Sequence, residues 1–113
     1  MKALSVKQPW ANLIASGQKT IETRLWRTDY RGQLLICSSR NPAIYPAGFA
    51  LCTVELVDCR MMRKADEVAA CCPIYGGAYA WVLQNIQRIP VDRIFPVRGQ
   101  LRIFEVSYGE KNI

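Results

Sequence analysis

The apolar residues of this chain fall into five or six short strand-like runs, and this spacing limits the folds open to it more than any other feature. Strands are predicted at Ala3–Val6, Thr20–Trp26, Leu34–Ser39, Phe49–Val57, Tyr79–Leu83 and Leu101–Tyr108, with a short edge strand at Ile94–Pro96. Strand and helix do not alternate regularly, so a doubly wound parallel sheet is excluded. The pattern predicts an α+β, mostly β fold: a small, mostly antiparallel β-barrel with two or three short helices.

Two short segments have helical patterning. Pro9 suits the first turn of a helix, where its missing N–H costs nothing. Trp10, Leu13 and Ile14 then recur at helical spacing, which predicts one buried apolar face, and Gly17 is a natural stop. A second short helix is predicted over Ala65–Cys72, before Pro73. These helices are too short to organise the fold without the strands.

Charge is concentrated near the amino terminus. The chain has 113 residues, half of them apolar, which fits one domain over residues 1–113. Its net charge is +6, and residues 1–40 hold seven basic and two acidic side chains. A positive field of this kind favours anionic partners, nucleic acid above all.

Several classes of site are excluded by what the sequence lacks. There is no histidine, which removes Ser-His-Asp triads and His-ligated metals, and no glycine-rich nucleotide-binding motif. The five cysteines, an odd number without a C-x-x-C pair, are expected to be buried, reduced thiols. No signal peptide is visible, and the longest uncharged run, Val68–Gln87, is interrupted by Pro, Gly and amides. We therefore expect a cytoplasmic protein with no membrane contact, no metal and no cofactor.

The segment after the first helix holds the most suggestive charged residues. Period-two alternation places Glu22, Arg24 and Trp26 on one strand face, and Lys19 lies in the turn before them. Lys and Arg can contact phosphate, and a carboxylate beside two cations can accept hydrogen bonds or hold an arginine in place. On spacing alone, an ordinary solvated ion pair remains the alternative.

Five linked motifs resemble the ASCH family, named for the activating signal cointegrator homology domain. They are the SVKQPWA opening from Ser5, G-x-K-x-x-E-x-R-x-W from Gly17 to Trp26, the Tyr30-Arg31-Gly32 turn, YAWVL from Tyr79, and PVRGQ from Pro96. The resemblance extends over nearly the whole chain. It implies a barrel similar to the PUA fold, with a basic cleft beside the first helix that receives nucleic acid, RNA in preference to DNA, or a nucleotide.

The resemblance implies a set of cleft residues. The candidate ligand-binding residues are Lys7, Gln8, Lys19, Glu22, Arg24, Trp26, Arg31, Ser38 and Ser39. Ser38 and Ser39 point to opposite faces of one strand, so at most one is expected to face the cleft. Arg27, Arg31, Arg98 and Arg102 could extend a phosphate track. Trp10 and Trp81 are expected in the core, whereas Trp26 is the tryptophan expected to stack on a base.

Two other functions stay open at the level of sequence. Some small ASCH proteins are amidohydrolases of acylated cytidine with the pattern G-x-K-x-x-T-x-R. Lys19 and Arg24 match it, but Glu22 occupies the threonine position, and Glu55 is a candidate for the family's glutamate. If the protein is an amidohydrolase or a ribonuclease, we expect metal-independent catalysis by Lys19 and Glu22. A protein-interaction module is the remaining alternative.

Overall fold

A computed structural model describes residues 1–107, and its dominant element is one curled, mixed sheet. The strands are β1 (Lys2–Val6), β2 (Ile21–Arg24), β3 (Gly32–Ser38), β4 (Phe49–Met61), β5 (Tyr79–Arg88), β6 (Phe95–Pro96) and β7 (Ile103–Glu105). The helices are α1 (Trp10–Ala15) and α2 (Glu67–Ala70), with short 3₁₀ turns at Lys64–Asp66 and Val91–Arg93. The prediction of a mostly β fold with few short helices is confirmed.

The strand order is β2-β5-β4-β3-β1-β7, and β6 pairs with β4. All pairs are antiparallel except β1 with β3, which run parallel with Val6 opposite Ser38. The chain passes through α1 and β2 between these two strands, and a crossover of that length permits parallel pairing. Both strands therefore end at the same edge of the sheet, where the candidate site lies.

Helix α1 uses a different face from the predicted one. Ala11, Ile14 and Ala15 are its buried residues, and it packs on β3, β4 and β5. Trp10 is 38% exposed, so the prediction that it belongs to the core is wrong. Helical side chains tilt toward the amino terminus, and the first residue of a helix has no preceding turn to cover. Trp10 therefore extends beyond the end of the helix.

Several element bounds differ from the predicted ones. Strand β4 continues to Met61 through two register shifts, which keep it paired with β5. The predicted helix over Ala65–Cys72 is a 3₁₀ turn followed by α2, and it ends where Cys71 takes a left-handed backbone with φ 55°. Strand β7 covers only part of the predicted Leu101–Tyr108 strand, and Tyr108 lies outside the described residues.

The main core lies between α1 and the sheet. Trp81 is fully buried there, as predicted, together with apolar residues of β1, β3 and β4 such as Leu4, Leu34 and Leu56. A second cluster around Leu35 and Phe104 packs on the opposite face. Within residues 1–107, no helix has the length and apolar character needed to cross a membrane.

Candidate nucleic-acid interface

A pocket of about 840 Å³ opens at the edge where β1 and β3 end. Its walls come from residues 5–7, 22–24, 38–41 and 98–102, with further contributions from Trp10, Lys19, Gly48, Cys72 and Tyr75. The resemblance implied a cleft beside the first helix, and this pocket lies there. It brings together segments that are distant in sequence, because the ends of β1 and β3 and the side chains of β2 all contribute to its lining.

The pocket lining is strongly basic. Among residues 1–107, six cationic side chains contribute to it, namely Lys7, Lys19, Arg24, Arg40, Arg98 and Arg102, against the single carboxylate of Glu22. Clefts lined by one sign of charge concentrate the field within them. The arrangement therefore attracts anions more strongly than the overall charge of +6 would suggest.

Lys19 is buried in the pocket wall and is held by its neighbours. Its backbone N–H donates to Leu13 O at 3.0 Å after the turn at Gly17, whose φ is +85°. Its ammonium donates to Ala70 O and lies 3.5 Å from Glu22 Oε1. The side chain is only 1% exposed. An ammonium has three donors, so one remains for a ligand.

Glu22 connects Lys19 to Arg24. Glu22 Oε2 accepts from Arg24 Nε at 3.0 Å and lies 2.8 Å from Arg24 Nη2. Nη2 also donates to Ser5 O at 2.7 Å. The predicted alternation places both side chains on the same face of β2, and the structure confirms it. The resulting Lys19–Glu22–Arg24 network fixes one wall of the pocket.

Both serines at the end of β3 contribute to the lining of the pocket. The Ser38 hydroxyl is buried, donating to Phe49 O at 3.3 Å and accepting from Phe49 N at 3.1 Å. The Ser39 hydroxyl lies 3.2 Å from the Ser5 hydroxyl. Ser39 follows the last residue of β3, where strand alternation no longer sets the direction of the side chain. Ser38 is structural, and Ser39 is available to a ligand.

Two aromatic side chains lie on the pocket wall. Trp10 and Tyr75 are 38% and 41% exposed. The Tyr75 hydroxyl donates to Thr23 Oγ1 at 3.0 Å, which fixes the ring beside β2. Each aromatic face can stack on a nucleobase.

Three of the predicted ligand-binding residues do not line the pocket. Gln8 is 1% exposed, donates to Asn12 Oδ1 at 2.9 Å and to Pro46 O at 3.0 Å, and accepts from Asn12 N at 2.9 Å. It therefore ties α1 to the loop after β3. Arg31 is exposed on another part of the surface and lies 3.8 Å from Asp58.

Trp26 is the third predicted residue outside the lining. Strand β2 ends at Arg24, so the predicted face does not continue to Trp26. Its ring packs edge-on against Trp81, with centroids 4.7 Å apart, and Arg102 lies 4.5 Å from its centroid. Trp26 thus supports Arg102, which does line the pocket.

The predicted phosphate track is divided by the fold. Arg98 and Arg102 line the pocket, whereas Arg27 pairs with Asp29 at 2.7 Å outside it. Glu55, the candidate for the amidohydrolase glutamate, is exposed on β4 and accepts from Asn85 at 2.7 Å. The structure does not bring Glu55 to the pocket.

Sequence reasoning did not identify Arg40 or Tyr75 and placed Trp10 in the core. Arg40 follows the two serines of the predicted cleft directly, and this adjacency was a usable signal. Trp10 lies in the SVKQPWA motif, which was another. Tyr75 carries no local signal, because it reaches the pocket through the loop after α2.

The cysteines follow their predicted role only in part. Cys37, Cys52 and Cys59 are buried, and burial raises the pKa of both Cys37 and Cys52 to about 12. These thiols stay protonated at neutral pH. Cys71 and Cys72 are only half-buried, contrary to expectation, and Cys72 lines the pocket.

Comparisons with known proteins agree on one domain type. The family model of the ASCH domain matches residues 4–92. Activating signal cointegrator 1 from Homo sapiens and from Mus musculus are each 27% identical over 129 aligned residues, which cover 92% of this chain. The chain spans 22% of the length of these relatives.

Solved structures show the same fold. The crystal structure of ASCH from Zymomonas mobilis superimposes with a TM-score of 0.56 at 18% identity, covering 80% of this chain and 73% of that one. A mutant of that protein gives a TM-score of 0.66 at 15% identity, with 94% and 87% covered. The likeness therefore extends over most of both chains.

Proposed function

Since this chain belongs to the ASCH domain family, we propose that its basic pocket binds single-stranded RNA, or a nucleotide, and that it prefers RNA to DNA. The observation that carries the proposal is the lining of six cations against one carboxylate. Phosphate contacts supply most of the affinity in nucleic-acid binding, and they come mainly from Lys and Arg.

The size and shape of the pocket suit a single nucleotide of a longer strand. Ligand pockets span roughly 300–1,000 Å³, and this one has about 840 Å³. Trp10 and Tyr75 offer ring faces that an unpaired base can stack on, whereas the bases of a duplex are already stacked. This favours a single strand or an unpaired end as the ligand.

The Lys19–Glu22–Arg24 network gives the pocket polar groups for a base or a sugar. Lys19 has one N–H beyond its two internal acceptors, and Glu22 is the carboxylate acceptor that the described residues supply to the lining. In this proposal the network recognises the polar edge of the ligand, and the remaining cations bind phosphate.

The test is fluorescence anisotropy with labelled single-stranded RNA at increasing salt. We expect the logarithm of the association constant to fall linearly with the logarithm of the salt concentration, with a slope of about −0.7 for each phosphate neutralised. Trp10→Ala should weaken binding equally at every salt concentration, because it removes stacking and no charge, and Leu25→Ala outside the pocket is its control. No binding at low salt, or binding indifferent to salt, would refute the proposal.

A hydrolase is the second candidate, and one observation favours it: Lys19 and Glu22 form a buried pair in the pocket wall. The alternative substrates are acylated cytidine and RNA itself. Chromatography of the products after incubation with each substrate tests it. Turnover that disappears in Glu22→Gln would favour this candidate, and no product from either substrate would reject it.

A further inference from the structure

One end of the pocket is assembled by short backbone links among four segments. Gly48 N donates to Ser38 O at 2.9 Å, and Val97 N donates to Gly48 O at 2.8 Å. Ser39 N donates to Val6 O at 2.9 Å. Each link lies within two residues of a cation that lines the pocket: Arg40, Arg98 or Lys7. We call Lys7, Arg40 and Arg98, with the hydroxyls of Ser5 and Ser39, the anion end.

Two glycines allow the close approach at this end. Gly48 has φ +79°, and a Cβ placed there would lie 2.9 Å from Arg40 Cγ and Nε. A Cβ on Gly99 would lie 3.0 Å from Ser5 Oγ. The side chain of Arg40 therefore lies directly over Gly48, and the segment carrying Arg98 lies directly against Ser5.

The three cations of the anion end have no acidic partner within residues 1–107. Some cations elsewhere have one, since Arg60 pairs with Asp66 and Lys2 with Glu105, both at 2.7 Å. Others, such as the exposed Arg93, form no ion pair among the described residues either, but they lie outside the pocket lining. Lys7, Arg40 and Arg98 make no ion pair and no side-chain hydrogen bond among the described residues. The three cations line one end of the same pocket without an acidic partner of their own, so an anion bound among them is attracted by all three.

From this we infer that the anion end binds a terminal phosphate monoester, so that the pocket receives a phosphorylated end of the strand. The inference rests on the proposed function. A monoester has a charge of about −1.5 to −2 at neutral pH and three strong acceptor oxygens, whereas a phosphodiester within the strand has a charge of −1. The three cations and the Ser5–Ser39 hydroxyl pair match the larger charge and the larger number of acceptors.

The test is isothermal titration of the protein with one hexaribonucleotide carrying a 5′-phosphate, a 3′-phosphate, or hydroxyls at both ends. We expect one of the two phosphorylated forms to bind about tenfold more tightly than the hydroxyl form, the scale of a charge-assisted contact. A hydroxyl-ended heptanucleotide controls for added charge, because it adds one internal phosphodiester and should gain much less.

Variants locate the effect. Arg40→Ala and Arg98→Ala should each reduce the tenfold preference to about twofold or less, because each removes a charge-assisted contact. Arg93→Ala removes an exposed arginine outside the lining and should leave the preference unchanged. If Arg93→Ala reduces the preference as strongly as Arg40→Ala, the phosphate binds elsewhere and the inference is wrong.

The pH dependence adds an independent readout. The second pKa of a phosphate monoester is about 6, so the preference should be larger at pH 7.2 than at pH 5.2. The charged groups of the anion end are Lys7, Arg40 and Arg98, and the lining as a whole also holds Lys19, Glu22, Arg24 and Arg102.

The outcomes separate the two proposals. If no oligonucleotide binds at low salt, the proposed function fails, and the inference fails with it. If all three hexanucleotides bind with equal affinity, the function stands and the inference alone is refuted. The inference would also be refuted if both phosphorylated hexanucleotides gained only as much affinity as the heptanucleotide does. The added charge alone would then explain the gain.

Discussion

Glu22 and Asp66 are both buried carboxylates paired with an arginine, but the number of cations around them differs. Glu22 and Asp66 have side chains that are 8% and 7% exposed, and each is paired with an arginine at 2.8 or 2.7 Å. Asp66 accepts hydrogen bonds from both terminal nitrogens of Arg60 and from the backbone N–H of Arg63. It does not line the pocket. Glu22 faces a pocket with six cations.

The difference separates a structural ion pair from the proposed binding site. The charge of Arg60 is balanced by Asp66 at 2.7 Å and also faces Asp58 at 3.8 Å, and the hydrogen bonds of Asp66 fix the turn before α2. The network around Glu22 leaves positive charge uncompensated within the described part of the chain. Burial alone does not separate the two sites, whereas the surplus of cations does.

The largest expected effect is on stability at the pocket. Lys19→Met keeps much of the side-chain volume but leaves Ala70 O and one side of Glu22 without a donor. Removing one partner of a buried pair costs about 3–5 kcal/mol, and the remaining contact of Glu22 with Arg24 places this change near the lower figure. Urea unfolding measures it, with the exposed Lys64→Met as control. Equal stability of the two variants would contradict the account.

Lys19 has a structural role in addition to any role in binding or catalysis. Lys19 is 1% exposed and bridges β2 to the end of α2, so its removal affects folding as well as binding.

The next effect tests the balanced pair through pH. Hydrogen bonds from Arg60 lower the pKa of Asp66 from its ordinary 3.8 to about 2. Because the folded pKa is the lower one, the pair stabilises the protein above pH 4, and this stability is lost as pH falls from about 4 to about 2. The loss is roughly 2 kcal/mol.

Asp66→Asn checks this prediction. Unfolding of the parent and the variant is compared from pH 5 to pH 2, and the difference between them should shrink as the pH falls. Affinity for RNA at pH 7 should be the same for both, since Asp66 lies outside the pocket. A constant difference across the range would show that the pair does not stabilise the fold as described.

The smallest effect concerns the exposed pair of Arg31 and Asp58, at 3.8 Å. Surface pairs of this kind contribute about 0–1 kcal/mol. Arg31→Ala should therefore change stability by less than about 1 kcal/mol, and it should leave RNA affinity nearly unchanged because Arg31 does not line the pocket. Anisotropy would show whether this residue, expected in the cleft from the sequence, contributes to binding.

The sequence predicted the site where local periodicity decides geometry. Alternation along β2 correctly placed Glu22 and Arg24 on one face. It failed for Trp26, because the strand ends two residues earlier and no local signal marks that end. Tyr75 could not be predicted for another reason, since only packing between segments distant in sequence places its loop beside β2. The same limit applies to the sheet, whose parallel pair of β1 and β3 depends on a crossover connection.

The most direct test compares two triple variants of equal net charge. The pocket variant replaces Lys7, Arg40 and Arg98 with alanine, and the control replaces Lys64, Arg88 and Arg93, which lie outside the lining. Anisotropy with single-stranded RNA is measured across a range of salt. The account predicts that the salt slope of the pocket variant falls by about 0.7 for each phosphate that is no longer neutralised, while the control keeps the slope of the parent. Equal losses in both variants would show that overall charge, and not the pocket, binds the RNA.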